Sequence, residues 1–185
     1  IFPWIRLNRI IRDIPNMNII GGNSTTNLRQ LLVESREIRS REIERHTEYY
    51  NQRARIFIEC YNNCKKSGTK DYFISYESLD KKALFGFIRL RLPGNNPIIF
   101  NEKSVKNIKK SYELFECLKD CALIRELHVY GYNTAVGNEG IASQHKGIGT
   151  LLLKKAEKIS QYNKYKGICI YYINDNYIDA NLQWY

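Results

Sequence analysis

The stretch from residue 122 to residue 159 constrains the fold most, because its hydrophobic period changes once along the chain. Residues 122–130 are rich in aliphatic side chains and predict a strand. After a small, polar loop at 131–143, apolar residues recur at helical spacing. They are Ile148, Leu151, Leu152, Ala156 and Ile159. A strand that is followed by an amphipathic helix predicts an α/β domain, in which the helix packs its apolar face on the sheet.

Three other segments extend this sheet. Residues 72–76 and 83–92 are rich in aromatic and β-branched side chains, and the connection at 77–82 is polar. This pattern predicts an antiparallel hairpin that precedes the strand at 122–130. A short apolar segment at 167–173 predicts a further strand after the helix.

The first 64 residues have a different composition from the rest. They contain ten Arg and no Lys, whereas all sixteen Lys lie between residues 65 and 166. Mixed charges at helical spacing over residues 27–63 predict a charge-rich helix pair. Because Arg presents a planar fork to phosphates, we expect this Arg-rich arm to face nucleic acid, with a simple solvated surface as the alternative. The sequence thus predicts an Arg-rich helical arm at 1–64 and a second domain at 65–185.

Composition excludes several classes of protein. Lys plus Arg number 29 against 19 Asp plus Glu, a net charge of +10, and 43% of residues are hydrophobic, which is enough for a sizeable core. The apolar runs are far shorter than the roughly 18 residues of a membrane span, so we expect no transmembrane helix. Five Cys without a staple-like spacing predict a reducing compartment, the cytoplasm or also the nucleus. A start at Ile1 without a leader pattern leads us to expect a piece of a longer protein.

Two glycines at the start of the predicted helix indicate an anion site. Gly147 and Gly149 let backbone amides approach an anion, and the helix that follows contributes the positive end of its dipole. The spacing fits neither the P-loop nor the dinucleotide fingerprint. A packing turn without a ligand remains the alternative at this point.

Gln144, Gly147 and Gly149 fill the motif Gln-x-x-Gly-x-Gly, which resembles the pyrophosphate-binding motif of the GCN5-related N-acetyltransferases. Residues 124–131 and 144–152 resemble, more narrowly, the family of Elongator catalytic subunits, which modify the wobble uridine of tRNA. The resemblance covers most of residues 3–160. That family's radical SAM domain, with its iron–sulfur cysteines, is absent from this chain.

The resemblance implies a GCN5-related N-acetyltransferase fold: a mixed, mostly antiparallel sheet with flanking helices. It implies an acyltransferase that uses acetyl-CoA, with tRNA and other Elongator subunits as partners; the full-length family also uses S-adenosylmethionine and a 4Fe-4S cluster. The implied acetyl-CoA contacts are Glu126, Leu127, His128, Val129, Gln144, His145, Lys146, Gly147, Ile148, Gly149, Thr150 and Leu151. The implied tRNA contacts are Arg6, Arg9, Arg12, Arg29, Arg36, Arg39 and Arg41. Two alternatives stay open: a histone or protein lysine acetyltransferase, and a degenerate tRNA-binding or scaffold remnant.

The candidate catalytic residues are Glu126 and Tyr177. Glu126 lies on the strand that lines the acyl site in the superfamily and is a candidate general base, with a salt bridge to a neighbour as the alternative. The family places a Tyr near the thioester, where it can protonate the leaving thiolate, and only Tyr177 aligns with it. A surface Tyr in an Asn-rich tail is the alternative for that position.

The chain departs from the family at its zinc site. The family's cysteine ligands fall near residues 35–37 and just after residue 91, where Ser35, Glu37 and Leu92 supply no thiol. The spacings Cys60-x-x-x-Cys64 and Cys117-x-x-x-Cys121 are not those of a zinc knuckle. We therefore expect free thiols and no metal.

Overall fold

The computed structural model describes residues 1–8, 20–22, 35–65, 67–94, 120–131, 147–170 and 182–183. These residues form one six-stranded sheet with strand order β1 to β6, and one α-helix packs against it. All neighbouring strands are antiparallel except β4 and β5. The elements are β1 (Ala54–Asn63), β2 (Lys70–Ser78), β3 (Leu84–Leu92), β4 (Cys121–Val129), α1 (Ile148–Tyr162), β5 (Gly167–Ile170) and β6 (Leu182–Gln183). The mixed α/β prediction is confirmed.

The predicted hairpin is formed by β2 and β3. Its register places Ile74 opposite Ile88 and Phe73 opposite Arg89. Because side chains alternate along a strand, the first pair lies on the sheet face that α1 covers and the second pair lies on the opposite face. The predicted strand at 122–130 is β4, and the predicted strand after the helix is β5, which is described as far as Ile170.

The expectation of helices over residues 27–63 is wrong for its described part. Residues 54–63 form β1, and Ile43–Arg45 and Thr47–Tyr49 are single 3-10 turns. Charges three and four residues apart imitate helical spacing in this region, whereas the β-branched and aromatic residues of β1 pack on a pleated surface. Since β1 pairs with β2, the sheet spans the predicted domain boundary after residue 64.

Helix α1 packs on β3 through residues that repeat at a spacing of four. Ile148, Leu152 and Ala156 are buried, but Leu151 is 47% exposed, so its predicted place on the apolar face is wrong. The close approach of α1 requires a glycine in β3. A Cβ on Gly86 would lie 2.9 Å from the carbonyl oxygen of His128 and 3.4 Å from Ile148 Cγ2.

The opposite face of the sheet is covered by residues 1–8 and 35–50. The backbone N–H of Ile38 donates to the carbonyl of Ile5 at 2.9 Å, and Ile38 and Ile43 are fully buried. The described part of the Arg-rich arm therefore packs onto the sheet and adds to its core. Within the described ranges, no helix has the length and apolar character needed to cross a membrane.

Candidate functional site

The N-terminus of α1 lies beside the C-terminal end of β4. A Cβ on Gly149 would lie 3.7 Å from Val129 Cγ2, so the first turn of the helix touches the strand. Gly147, which precedes the helix, has a φ of 101°, a left-handed conformation that favours glycine. Its carbonyl accepts the first helical hydrogen bond, from the N–H of Leu151 at 2.8 Å.

This helix start can bind an anion. The N–H groups of Ile148, Gly149 and Thr150 precede the first intrahelical donor, and Gly147 at the N-cap position has no side chain that could cap them. Among the described residues, nothing lies within 4 Å of the position that a Cβ on Gly147 would take. The amides that Gly147 leaves uncapped, the space beside this glycine and the helix dipole together suit a phosphate or pyrophosphate. Of the predicted cradle, Gln144, His145 and Lys146 lie outside the described residues.

The predicted contacts on β4 lie on two faces of the sheet. Leu127 and Val129, which are 38% and 40% exposed, pair with Ile88 and Gly86 on the α1 side. Glu126 and His128 lie on the opposite side. Within the described residues, the register between β4 and β5 ends at Ile124. The side chains beside the helix N-terminus are thus Leu127 and Val129, and they form an apolar wall.

Glu126 is held in two ion pairs. Arg89 Nε, directly across the strand pair, donates to Glu126 Oε2 at 2.9 Å, and Arg6 Nη1 lies 3.6 Å from Oε1. Arg89 also donates to the carbonyl oxygen of Trp4 at 2.7 Å. The structure therefore gives Glu126 the salt bridge that was the alternative to a catalytic base. Taking a proton from a substrate would cost this carboxylate both ion pairs.

Tyr130, which directly follows β4, is a residue that the sequence analysis did not select. It is buried, and its ring lies 4.5 Å from the ring of the exposed His128. Burial raises the pKa of Tyr130 well above its ordinary value, and the negative charge of Glu42 adds to this effect. The phenol therefore keeps its proton. The strand period of two from Glu126 through His128 to Tyr130 was the signal available in the sequence.

The predicted tRNA-binding arginines divide into two groups. Arg6 and Arg36 are exposed and Arg39 is partly exposed. Arg41 is 4% exposed, and its Nη1 donates to Glu77 Oε2 at 2.7 Å while Nη2 donates to the carbonyl oxygen of Pro3 at 2.8 Å. The expectation that Arg41 contacts tRNA is therefore contradicted, because its guanidinium is enclosed. The other predicted tRNA contacts, Arg9, Arg12 and Arg29, lie outside the described residues, as does the candidate acid Tyr177.

The positions that correspond to the family's zinc ligands do not fit zinc. The carboxylate of Glu37 is fully buried and accepts the N–H of Leu7 at 3.2 Å, the N–H of Arg39 at 3.1 Å and the hydroxyl of Ser40 at 2.9 Å. Ser35 Oγ accepts the N–H of Glu37 at 3.4 Å. A carboxylate that is surrounded by donors organises this turn with hydrogen bonds. Within the described part of the chain, no three His, Cys, Asp or Glu side chains come together as a metal site.

Within the described residues, a helix N-terminus preceded by a left-handed glycine lies beside the C-terminal end of β4, and this arrangement defines an α/β domain that is suited to a phosphate-containing ligand. No protein-family profile matches the chain. Two relatives have similar sequences over 86% of this chain: Elongator complex protein 3 of Schizosaccharomyces pombe is 33% identical over 172 residues, and the tRNA uridine(34) acetyltransferase of Dehalococcoides mccartyi is 31% identical over 169. Elp3 of the archaeon Methanocaldococcus infernus, with its N-terminus deleted, has a similar structure, with a TM-score of 0.61 and 28% identity over 92% of this chain.

The chain is therefore homologous to part of Elongator complex protein 3, and the predicted resemblance to Elongator catalytic subunits is confirmed. The chain spans only 28% of the length of the Schizosaccharomyces pombe relative and 33% of the Dehalococcoides mccartyi relative. It covers 39% of the archaeal structure.

Proposed function

We propose that this chain is the acetyl-CoA-dependent acyltransferase part of an Elongator-type enzyme that modifies the wobble uridine of tRNA. The observation that carries the proposal is the start of α1 at the left-handed Gly147, beside the C-terminal end of β4. It occurs in a chain that is homologous to a tRNA uridine(34) acetyltransferase. The chain's cradle sequence also matches the acetyltransferase motif at Gln144, Gly147 and Gly149.

The described residues suit acetyl-CoA in defined ways. The N–H groups of Ile148, Gly149 and Thr150 bind its pyrophosphate, and the exposed side chains of Leu127 and Val129 form an apolar wall beside the helix start. The ligand supplies an activated acetyl thioester. The full-length family also uses S-adenosylmethionine and a 4Fe-4S cluster, and no described residue is assigned to them.

Substrate binding in this proposal falls to Arg6 and Arg36, two exposed arginines of the N-terminal region. Arg6 pairs with Glu126 on the sheet face opposite α1, and the chain's net charge of +10 favours a polyanion. Glu126 positions Arg6 and Arg89 through its ion pairs. Other Elongator subunits are the proposed protein partners, in the cytoplasm and also the nucleus. Histone acetylation is not carried further, because no contact among the described residues favours it.

The experiment is acetyl-CoA binding and hydrolysis by the chain, with and without tRNA. We expect binding by the wild type and tRNA-stimulated loss of the thioester. A Gly149→Val variant should weaken acetyl-CoA binding at least about 10-fold, because its side chain occupies the space beside the helix amides. Its thermal unfolding should remain close to that of the wild type.

Gly21→Val is the matched control, since no atom of the described residues lies within 4 Å of a Cβ at that position. It should leave acetyl-CoA binding unchanged. Equal binding by the wild type and Gly149→Val would mean that Gly147 and Gly149 form only a packing turn. Binding of tRNA without any turnover of acetyl-CoA would favour the degenerate remnant instead.

A further inference from the structure

Asp71 is a buried carboxylate that holds an arginine at the surface. Its side chain is 2% exposed, and it accepts two hydrogen bonds from Arg91, from Nε at 2.7 Å and from Nη2 at 2.9 Å. Asn62 on β1 donates to the same carboxylate at 2.8 Å. Three strands thus fix the guanidinium of Arg91, whose side chain is 37% exposed. Its Nη1 group is not used in this pair.

A second arginine shares the same carboxylate. Arg125 Nη1 lies 4.0 Å from Asp71 Oδ1, and its side chain is 44% exposed. This separation is an ion pair and too long for a hydrogen bond, so the donors of Arg125 are not committed to Asp71. Two guanidiniums against one carboxylate leave a net charge of +1 at a fixed place on the sheet face opposite α1. We call Asp71, Arg91 and Arg125 the arginine fork.

An aromatic stack lies next to the arginine fork. Tyr61 occupies the bulge of β1, where the register shifts between Cys60 and Asn62. The ring of Trp4 stacks on Tyr61 at 5.7 Å, and the ring of Phe2, which is 62% exposed, stacks on Trp4 at 4.8 Å. Tyr61 directly precedes Asn62, which pairs with Asp71 in the sheet and donates to its carboxylate, so the stack lies beside the fork.

Phosphate and stacking together distinguish RNA from other anionic partners. Guanidiniums bind phosphate oxygens through paired donors, and aromatic rings beside them accept unstacked bases. An acidic peptide would use the arginines, but it does not carry an aromatic base on every unit of an anionic backbone, as RNA does. The two features lie together on one face, with the exposed Arg6 on the same face.

We propose that Arg91 and Arg125 form a phosphate-binding fork for the backbone of a bound RNA, with Asp71 as the residue that positions both. The inference rests on the proposed function in that the RNA is taken to be tRNA. It adds a contact on β3 and β4, outside the arginine-rich arm. Arg91 and Arg125 donate to one phosphate or to two neighbouring ones.

The test is the affinity of the whole chain for a tRNA transcript over a series of salt concentrations. Arg125→Gln removes one guanidinium and leaves Asp71 with Arg91 and Asn62, so the fold is retained. Its Kd should rise about 10-fold, and the slope of log K against log salt should fall by about one. Arg125→Lys should restore the slope but only part of the affinity, because an ammonium lacks the fork geometry.

Arg45→Gln is the matched control, because Arg45 is 56% exposed and loses the same charge elsewhere on the surface. An Arg125→Gln variant that binds tRNA as tightly as Arg45→Gln, with an unchanged slope, would overturn the proposal. The proposal would also be overturned if polyglutamate displaced the labelled tRNA as effectively as unlabelled RNA of the same charge does. That result would favour an acidic protein partner. A wild type that binds no tRNA would overturn it as well.

Acetyl-CoA hydrolysis separates this inference from the proposed function. In one outcome, Arg125→Gln hydrolyses acetyl-CoA with the same stimulation by tRNA as the wild type, and its affinity for tRNA is unchanged. This outcome would overturn the arginine fork and leave the proposed function standing. Weaker tRNA binding by Arg125→Gln, in a chain that turns over no acetyl-CoA, would support the fork and remove the enzymatic proposal.

Discussion

Two opposing effects act on the carboxyl group of Asp71. Burial favours the protonated acid, but hydrogen bonds from Arg91 and Asn62, with the charges of Arg91 and Arg125, outweigh it and lower the pKa of Asp71 below its ordinary value. A depressed folded-state pKa stabilises the fold above the unfolded pKa of about 4, and this stabilisation is lost as the pH falls through the folded value. We therefore expect the free energy of unfolding to decrease in acid, below about pH 4.

Urea unfolding between neutral pH and strong acid checks this expectation. An Asp71→Asn variant should be less stable than the wild type at neutral pH, and its stability should depend less on pH in the acid range. Glu48→Gln is a control, because its side chain is 62% exposed. An acid profile of Asp71→Asn that is parallel to the wild-type profile would show that Asp71 is not the residue whose protonation destabilises the fold.

At the scale of the element, helix α1 offers two adjacent leucines in opposite environments. Leu152 is fully buried against the sheet, whereas Leu151 is 47% exposed. Leu152→Ala should cost about 2–5 kcal/mol through lost burial and the cavity left behind. Leu151→Ala should change stability by less than about 0.5 kcal/mol, since surface truncations have small effects. Urea midpoints, compared at an unchanged dependence of the unfolding free energy on denaturant, measure the stability loss of each variant. Equal losses for the two variants would mean that α1 turns a different face toward the sheet.

The elements differ in how far the sequence determined them. The hairpin β2–β3 and the strand β4 were predictable because their runs of apolar and β-branched residues fit a strand and do not follow the spacing of a helix. Strand β1 was missed because Arg55 and Glu59 are four residues apart and the sequence around them is rich in charges, a pattern that suits a helix face equally well. Pairing with β2 selects the strand over the helix for these residues. The local sequence does not indicate this pairing, because β2 lies later in the chain.

The site was predictable to the extent that it depends on backbone conformation. Gly147 and the start of α1 follow from local sequence, because a left-handed residue before a helix calls for glycine. The roles of charged side chains did not follow. Glu126 and Arg41 are defined by Arg89 and Glu77, which lie far away in sequence and come near only when the strands pair.

At the scale of the whole molecule, the N-terminal residues and the sheet share buried contacts. Arg41, enclosed with Glu77, also binds the carbonyl of Pro3, and Trp4 packs against the core cluster. Removing one member of a buried ion pair leaves the other uncompensated, so Arg41→Met should cost about 3–5 kcal/mol. Because these contacts join residues 1–8 and 35–50 to β2, the loss should affect the N-terminal region and the sheet together.

Coincident unfolding of the two regions is the resulting prediction. In a Trp184→Phe background, Trp4 is the only tryptophan and reports on the N-terminal residues, while far-ultraviolet circular dichroism reports on the sheet and α1. The two urea transitions should have the same midpoint, and Arg41→Met should shift both by the same amount. A Trp4 transition at lower urea than the circular dichroism transition would show that the N-terminal residues form a separate unit. The shared core of Ile38, Ile43 and the strands argues against that outcome, since one hydrophobic cluster cannot be exposed on one side and remain packed on the other.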